Sequence, residues 1–434
     1  MSATLEQWLS RQEAAHPVAI ELGLERVSAV ARRLSIERPA ATVITVAGTN
    51  GKGSTAAHLE ALLRAAGRST GLFTSPHFLR YNERIRIDGG EVEDAALVAA
   101  FERIEAARGA ISLTFFEYNT LAALWLFAER AVQFAILEVG LGGRLDATNL
   151  VAADVAVLCS VGFDHRDWLG DTLEQIGAEK AGVFRPGRPA VLGTGQMPAS
   201  VFSAIERLGA VPVVAERDFS WQVAPEGRWR YRGLRLRLED LPPSSLQGPI
   251  QYRNAATALA ALEMLPGGAS AARSRGLPVV LDQEGVTAAL GQVRLLGRFQ
   301  VVPGPVEWIL DIAHNPPAAE TFAAQLRQRP HPGRTLAVIG ILGDKDAAAI
   351  GAALAPVIDR WFLCGLPPPR GIDAAQLARR LAAVVRDPEL SGSVVQACEA
   401  ARLHARPGDR VLVCGSVQTV APALKWLGVY PQGL

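Results

Sequence analysis

The first half of the chain alternates short, near-continuous apolar runs with longer stretches whose apolar positions recur every three or four residues. "TVITVAG", "FAILEVG" and "ADVAVLCSVG" carry almost no polar position, as parallel strands covered on both faces do. After the first run, Leu59, Leu62, Leu63 and Ala66 fall at helical spacing, and Gly67 stops the pattern. "STGLFTSPH" predicts a short strand entering a loop. "YNTLAALWLFAERA" predicts a helix with Leu121, Leu124, Trp125 and Ala128 along one stripe. Thr4-x-x-Gln7 reads as a capping box for a first helix bearing Leu5, Trp8 and Leu9 on one face. Strand and helix in alternation predict a doubly wound α/β domain.

The pattern then changes twice. From Asp218 to Leu241 the polarity alternates in period two around Pro225-Glu226-Gly227 and Arg232-Gly233, which predicts a small antiparallel sheet on the first domain. A helix at "YRNAATALAALEML" and a Gly-rich polar stretch from Gly267 to Gly276 follow. Near Gly297 a second α/β set begins, with strands predicted at "EWILDIA", "RTLAVIGIL", "RWFLCG" and "RVLVCGSV" and a helix at "AAQLARRLAAVV". The expected division is residues 1–296 and residues 297–434, the second a C-terminal Rossmann-like α/β domain.

Bulk properties narrow the class. The 434 residues exceed one typical core. A formal charge of +1 argues against a nucleic-acid binder, which usually carries a basic excess. The longest apolar region, Leu121 to Val139, is broken by Glu129 and Arg130, so no membrane span is expected. Cys159, Cys364, Cys398 and Cys414 form no C-x-x-C pair, and the N-terminus has no apolar signal core. Reduced thiols and a cytoplasmic location are expected.

The candidate chemistry starts at "AGTNGKGST". It follows a strand and opens a helix, where backbone N–H groups and the helix dipole favour an anion. Gly48, Gly51 and Gly53 allow close approach, Lys52 adds a point charge, and Ser54 or Thr55 can reach a metal. The spacing is G-x-x-G-K-G-[ST], shorter than the usual phosphate-loop pattern. Glu138 ends the run "QFAILEV", where a carboxylate can face the crevice at the strand's carboxyl end. Asp164 and His165 end another strand on the same edge. Lys180 falls with Leu173, Ile176 and Gly177 on an apolar helix face, after a capping box at Thr172-x-x-Gln175. Burial there would leave it partly neutral and able to take up carbon dioxide as a carbamate. Spacing alone favours the alternative, an ammonium reaching water over an apolar stem. Arg298, Asp311 and His314 mark a third cluster, in the second domain, facing an interdomain cleft.

Together these segments resemble the folylpolyglutamate synthase and dihydrofolate synthase family of the Mur ligase superfamily. "GTNGKGST", "TSPHFLRYNERIRIDG", "LTFFEYNTLAALWLF", "LEVGLGGRLDATN", "FDHRDWLG", "IGAEKAGVFRPG", "YRNAATALAALE", "GRFQ" and "DIAHNP" occur in family order over residues 48 to 317. The tail from Arg334 fits only in its α/β pattern. The resemblance implies that Thr49, Asn50, Gly51, Lys52, Gly53 and Ser54 cradle ATP phosphates, with Asn254, Arg298 and Asp311 contacting the nucleotide. It implies Mg²⁺ at Ser75, Glu138 and His165, and a second Mg²⁺ on carbamylated Lys180. It places Thr114, Phe115, Phe116 and Glu117 with Leu145, Asp146 and Ala147 at the pterin site, and His314 near the incoming glutamate. "LTFFEYNTLAALWLF" resembles the bifunctional type, which acts on dihydropteroate and reduced folates with L-glutamate; a monomer is expected. A cell-wall Mur ligase is the nearest rival, but only 47 residues precede Gly48, too few for an additional UDP-binding domain. A non-ligase nucleotide switch or transport ATPase is the rival from another class.

Overall fold

The computed structural model describes residues 3–18, 20–265 and 279–430. The Gly-rich stretch from Gly267 to Gly276 lies outside them. The strands of the first sheet are β1 Thr42–Ala47, β2 Thr70–Phe73, β3 Ile85–Ile87, β4 Gly90–Glu91, β5 Phe134–Glu138, β6 Val155–Leu158, β7 Pro189–Leu192 and β8 Val211–Val214. Their order is β4-β3-β2-β5-β1-β6-β7-β8. Neighbours from β2 to β8 pair in parallel, and β3 and β4 are antiparallel. All residues of β1 and β5 are buried, which is why neither shows alternation. Register sets Val46 opposite Glu138 and Ala47 opposite Leu158. Strand β1 therefore lies between strands that leave in opposite directions along the chain, the switch point where α/β sheets bind ligands at their carboxyl edge.

The helix Lys52–Ala65 follows β1 directly and is buried on nearly every side, not along one stripe. The reason is a third layer. Helices Ile250–Glu263 and Gln283–Gln292 pack over its outer face, so Leu59, Leu62 and Leu63 share a core with Leu259, Leu262 and Leu290. Ala66 falls just past the helix end and Gly67 takes φ 70°, the left-handed turn expected of a stop. Helix Phe115–Glu129 starts three residues before the predicted one, because Thr114 caps it. It too is buried almost all round, and it ends before β5, so the long apolar region is a helix and a strand. Among the described residues no helix is long and apolar enough to cross a membrane. The capping boxes at Thr4 and Thr172 are present, each worth about 1 kcal/mol.

The period-two segment forms β9 Ser220–Val223, β10 Trp229–Arg232 and β11 Arg237–Leu241, in order β11-β10-β9. Trp229 and Tyr231 point inward and Arg230 and Arg232 outward. The Tyr231 hydroxyl donates to Glu263 at 2.6 Å, tying this sheet to helix Ile250–Glu263.

The second large sheet has β12 Gln300–Val302, β13 Glu307–Leu310, β14 Thr335–Ile339, β15 Arg360–Cys364, β16 Glu389–Ser391 and β17 Arg410–Cys414, ordered β12-β13-β17-β14-β15-β16. The four predicted strands are β13, β14, β15 and β17. Short, half-exposed edge strands β12 and β16 lack a run long enough to read from sequence. Two apolar clusters, one around Phe322 and Leu377 and one around Trp308 and Leu424, cover its two faces. All four cysteines are buried and free.

Candidate active site

The loop after β1 is held from the neighbouring strand. Thr49 N donates to Ser160 O at 2.9 Å, and Asn50 N to Ser160 Oγ at 3.0 Å. Thr49 Oγ1 accepts from Gly162 N at 3.0 Å. Gly48 and Gly51 have φ of 148° and 88°, conformations an L-residue side chain opposes. Space is equally restrictive, since a Cβ on Gly51 would lie 3.0 Å from Asn254 Oδ1. Lys52 Nζ folds back to donate to Gly48 O at 2.9 Å and Thr49 O at 3.3 Å. One ammonium thus closes against the turn that opens a helix, where the first-turn N–H groups and the helix dipole favour phosphate.

Glu138 reaches this cradle from β5. Its carboxylate is 5% exposed and accepts one hydrogen bond, from Ser75 N at 3.3 Å. Burial pushes its carboxyl pKa up, while Lys52, the Ser75 N–H, Arg298 and Arg84 pull it down. Asp311, also buried, has its pKa pushed up by burial against the pull of Arg298, and accepts from Phe299 N at 2.8 Å and Ala313 N at 2.9 Å. The Arg298 charge therefore acts on carboxylates from both halves of the chain.

On the far side of the loop, Asp164 gathers donors. Lys345 Nζ lies 2.6 Å from Oδ1, and His314 Nε2 lies 3.3 Å from Oδ2. Burial opposes its charge, but His314, His165 and Lys345 outweigh it and hold its carboxyl well below the usual carboxylate range. Burial lowers the His165 pKa to about 4, leaving a neutral imidazole able to bind a metal. Lys180 is 5% exposed and its Nζ lies 3.4 Å from Gly48 O. Burial, then the nearby Lys52, lowers its pKa to about 7. The exposed-head reading that spacing favoured is thereby overturned: the amine turns inward to the phosphate loop and ends at the cavity wall, not over an apolar stem at the outer surface.

A hydroxyl, a carboxylate and a neutral imidazole suit a hard divalent cation beside phosphates. Glu138 also keeps lone pairs that no donor among the described residues fills. Among the described residues no three His, Cys, Asp or Glu side chains converge on one point. A metal here would draw its remaining ligands from phosphate and water, as Mg²⁺ commonly does.

One cavity of about 770 Å³ joins these groups, within the usual range for small-molecule sites. Of the candidate site residues singled out from the sequence, all except Phe115 and Thr55 border it. Thr55, offered with Ser54 as a hydroxyl able to reach a metal, is fully buried instead and accepts from Cys159 Sγ at 3.4 Å. Phe115 instead meets Tyr81 edge-on at 5.9 Å and lies under the Arg84 guanidinium, behind the wall. Phe116 presents its ring to the cavity. It fits only because Gly140 has no side chain, as a Cβ there would come within 2.5 Å of the ring. Thr114 and Glu117 form the capping box of the helix, with Thr114 N donating to Glu117 Oε2 at 2.7 Å. Asp146 is committed to its own loop, accepting from Thr148 N at 3.0 Å and Leu141 N at 2.8 Å. Both carboxylates therefore shape the wall more than they offer free charge.

Sequence reading missed the segment Ile20 to Gly23, which also borders the cavity. Arg26 anchors it by bonding both Glu21 and Glu117, and Gly23 N donates to Leu145 O at 3.4 Å. The apolar spacing of Leu22 and Leu24 was too short to signal either strand or helix. Lys345 and Asn315 were also missed.

The wall yields a prediction. If the pterin site lies at Phe116, as the sequence resemblance implies, Gly140→Ala is expected to drive that ring into the cavity and raise KM for the pterin substrate by about tenfold, the size of a 1–3 kcal/mol overpacking cost. KM for nucleotide should stay within about twofold. Steady-state kinetics with each substrate varied in turn measures both; an equal rise in the two would contradict this division of the cavity.

Two family models match the chain: the Mur ligase middle domain over residues 46–192 and the Mur ligase glutamate ligase domain over residues 297–417. The dihydrofolate synthase/folylpolyglutamate synthase of Escherichia coli K12 is 45% identical over 425 residues, covering 98% of this chain and 96% of that protein. The structure of E. coli FolC in complex with DHPP and ADP superposes with a TM-score of 0.91 at 44% identity, covering 98% of both chains. A bifunctional folylpolyglutamate synthase/dihydrofolate synthase with Mn, AMPPNP and L-glutamate bound gives a TM-score of 0.88 at 43% identity, again over 98% of both.

Proposed function

The chain belongs to the dihydrofolate synthase/folylpolyglutamate synthase family of Mur ligases, and we infer that it is an ATP-dependent ligase that forms an amide to L-glutamate. Its acceptors are dihydropteroate, giving dihydrofolate, and the γ-carboxylate of reduced folates, giving polyglutamates. The observation that carries this reading is the single cavity. It joins a phosphate cradle at Lys52, the Arg298 and His314 cluster of the second sheet, and an aromatic wall at Phe116.

A carboxylate resists attack by an amine, so phosphoryl transfer from ATP must first make it an acyl phosphate. The glutamate amine then adds to the carbonyl, loses its proton, and phosphate departs. The loop N–H groups of Gly51 to Ser54 and the Lys52 ammonium hold the transferring phosphoryl group, Thr49 and Asn50 shape the loop through their bonds to Ser160, and Arg298 faces the charge that develops on it. Mg²⁺ held by Ser75, Glu138 and His165 would neutralise phosphate oxygens, and carbamylated Lys180 would hold a second ion. Asn254 and Asp311 orient the nucleotide. Thr114, Phe116 and Glu117, with Leu145, Asp146 and Ala147, hold the pterin end, and His314 stands where glutamate enters. The division falls at residue 297, with the ATP-binding unit before it and the glutamate-ligase unit after it. Every group comes from one chain, which suits a monomer, and the buried thiols suit the cytoplasm.

With ATP, Mg²⁺ and glutamate, the purified protein is expected to release ADP when dihydropteroate or tetrahydrofolate is added, and little without them. No ADP with either acceptor would overturn the assignment. Running the two acceptors side by side also separates a bifunctional enzyme from a folylpolyglutamate synthase.

A further inference from the structure

A polar joint connects the two halves of the chain, and none of the steps above uses it. At its centre is Asn315, which caps helix Pro316–Arg327 and is 1% exposed. Its Oδ1 accepts from Ala318 N at 3.0 Å and from Asn50 Nδ2 at 3.1 Å. Its Nδ2 donates to Asn50 Oδ1 at 3.1 Å and to Asp164 Oδ2 at 3.0 Å. Both donors and both lone pairs of this amide are therefore engaged. Asn50 belongs to the phosphate loop. Asp164 in turn holds Lys345 of the second half, in a pair whose side chains are 6% and 8% exposed.

Buried polar contacts of this kind tolerate little displacement. A shift of about 1 Å between the halves breaks bonds made at 3.0 Å and leaves several dry groups unsatisfied. The joint can thus be complete in only one relative placement of the two units. One end of it is the loop that cradles phosphate, so the same amide that senses the placement also fixes Asn50.

We propose that Asn315 is a positioning residue that locks the closed arrangement of the two units to the shape of the phosphate loop, so that the acyl phosphate exists only while water is excluded. The proposal rests on the ligase reading above. It concerns a choice between two fates. Attack by the glutamate amine gives amide, phosphate and a proton. Attack by water gives back the carboxylate with phosphate, so that ATP is consumed with no amide formed.

Asn315→Asp tests this directly. Aspartate caps a helix as well as asparagine, so the fold is spared. It replaces the Nδ2 donor with a second acceptor facing Asp164 and Asn50 Oδ1, which is repulsive. Asn315→Ser, which keeps a cap but cannot span the joint, is the second variant. Both are expected to lower amide formation by about tenfold and to raise ADP released per amide from parity to about twofold or more. Thermal unfolding close to the parent's would exclude a folding defect. Solution scattering with a non-hydrolysable ATP analogue should show a more extended particle for both variants. The proposal fails if the ADP-to-amide ratio stays at parity in both, or if their scattering superposes on the parent's. If the parent makes no amide yet the scattering differs, the ligase reading falls and the joint stands as a domain lock.

Discussion

Glu138→Gln is expected to lower amide-forming turnover by roughly 10²- to 10³-fold, the loss seen when one preorganised electrostatic group is removed from a reacting centre. The substitution keeps the shape of the side chain and its contact with Ser75 N, so packing is not the issue. It removes a negative charge from a site where Lys52, Arg298 and Arg84 all act on that charge. With the carboxylate gone, that charge balance is lost, and a divalent cation loses its only charged protein ligand among Ser75, Glu138 and His165. The metal concentration for half-maximal activity should therefore rise along with the fall in turnover. Titrating Mg²⁺ or Mn²⁺ against initial rate in parent and variant separates the two effects. Turnover within tenfold of the parent at an unchanged metal requirement would remove Glu138 from the metal site. Folding stability should rise or hold, because a buried carboxylate with one hydrogen bond is costly to bury and its amide is not.

The sequence made the carboxyl edge of the first sheet legible because three signals coincide there. Apolar runs identify buried parallel strands, and each leads to a residue too polar for an apolar interior: Lys52 after β1, Glu138 on β5, His165 after β6. The logic of strand ends places all of them together without any long-range information. The same logic places Asp311 and His314 after β13. It fails where position depends on partners distant in sequence. Asn50 and Asn315 are 265 residues apart and Lys345 and Asp164 are 181 apart; nothing local in "DIAHNP" or "GDKD" reports those pairings. Phe115 and Phe116 are adjacent aromatics with opposite roles, and only the start of the helix at Thr114 decides which faces the cavity. Lys180 was the most ambiguous residue, because an apolar helix face is compatible with a buried amine and with one that reaches past it to water. Its hydrogen bond to Gly48 O, a partner 132 residues away that spacing cannot foresee, decides it.

That burial sets the second large effect. Lys180→Ala is expected to reduce turnover by roughly 10²- to 10³-fold, again the scale of a lost charged group at the reacting centre, and added formate or acetate should restore part of it. The argument begins with the amine. Burial and the Lys52 charge lower its pKa from the usual lysine value to about 7, so near neutrality a large share is unprotonated and nucleophilic. The neutral nitrogen can add to carbon dioxide, forming an N–C bond and releasing one proton, which converts a neutral amine into an anion beside the phosphate cradle. The sign of the pH dependence follows. Above about pH 7 the free amine predominates and the carbamate forms; below it the ammonium predominates and the carbamate is lost. Parent activity should therefore fall on the acid side of pH 7 and recover there when bicarbonate is raised. The Lys180→Ala enzyme rescued by acetate should lack that limb, because acetate stays ionised throughout the range. Native mass of the parent should show one added carbon dioxide that disappears in the variant. A Lys180→Ala enzyme as active as the parent without any added carboxylate would eliminate the carbamate, and an acid limb shared by parent and acetate-rescued variant would assign that limb to another group.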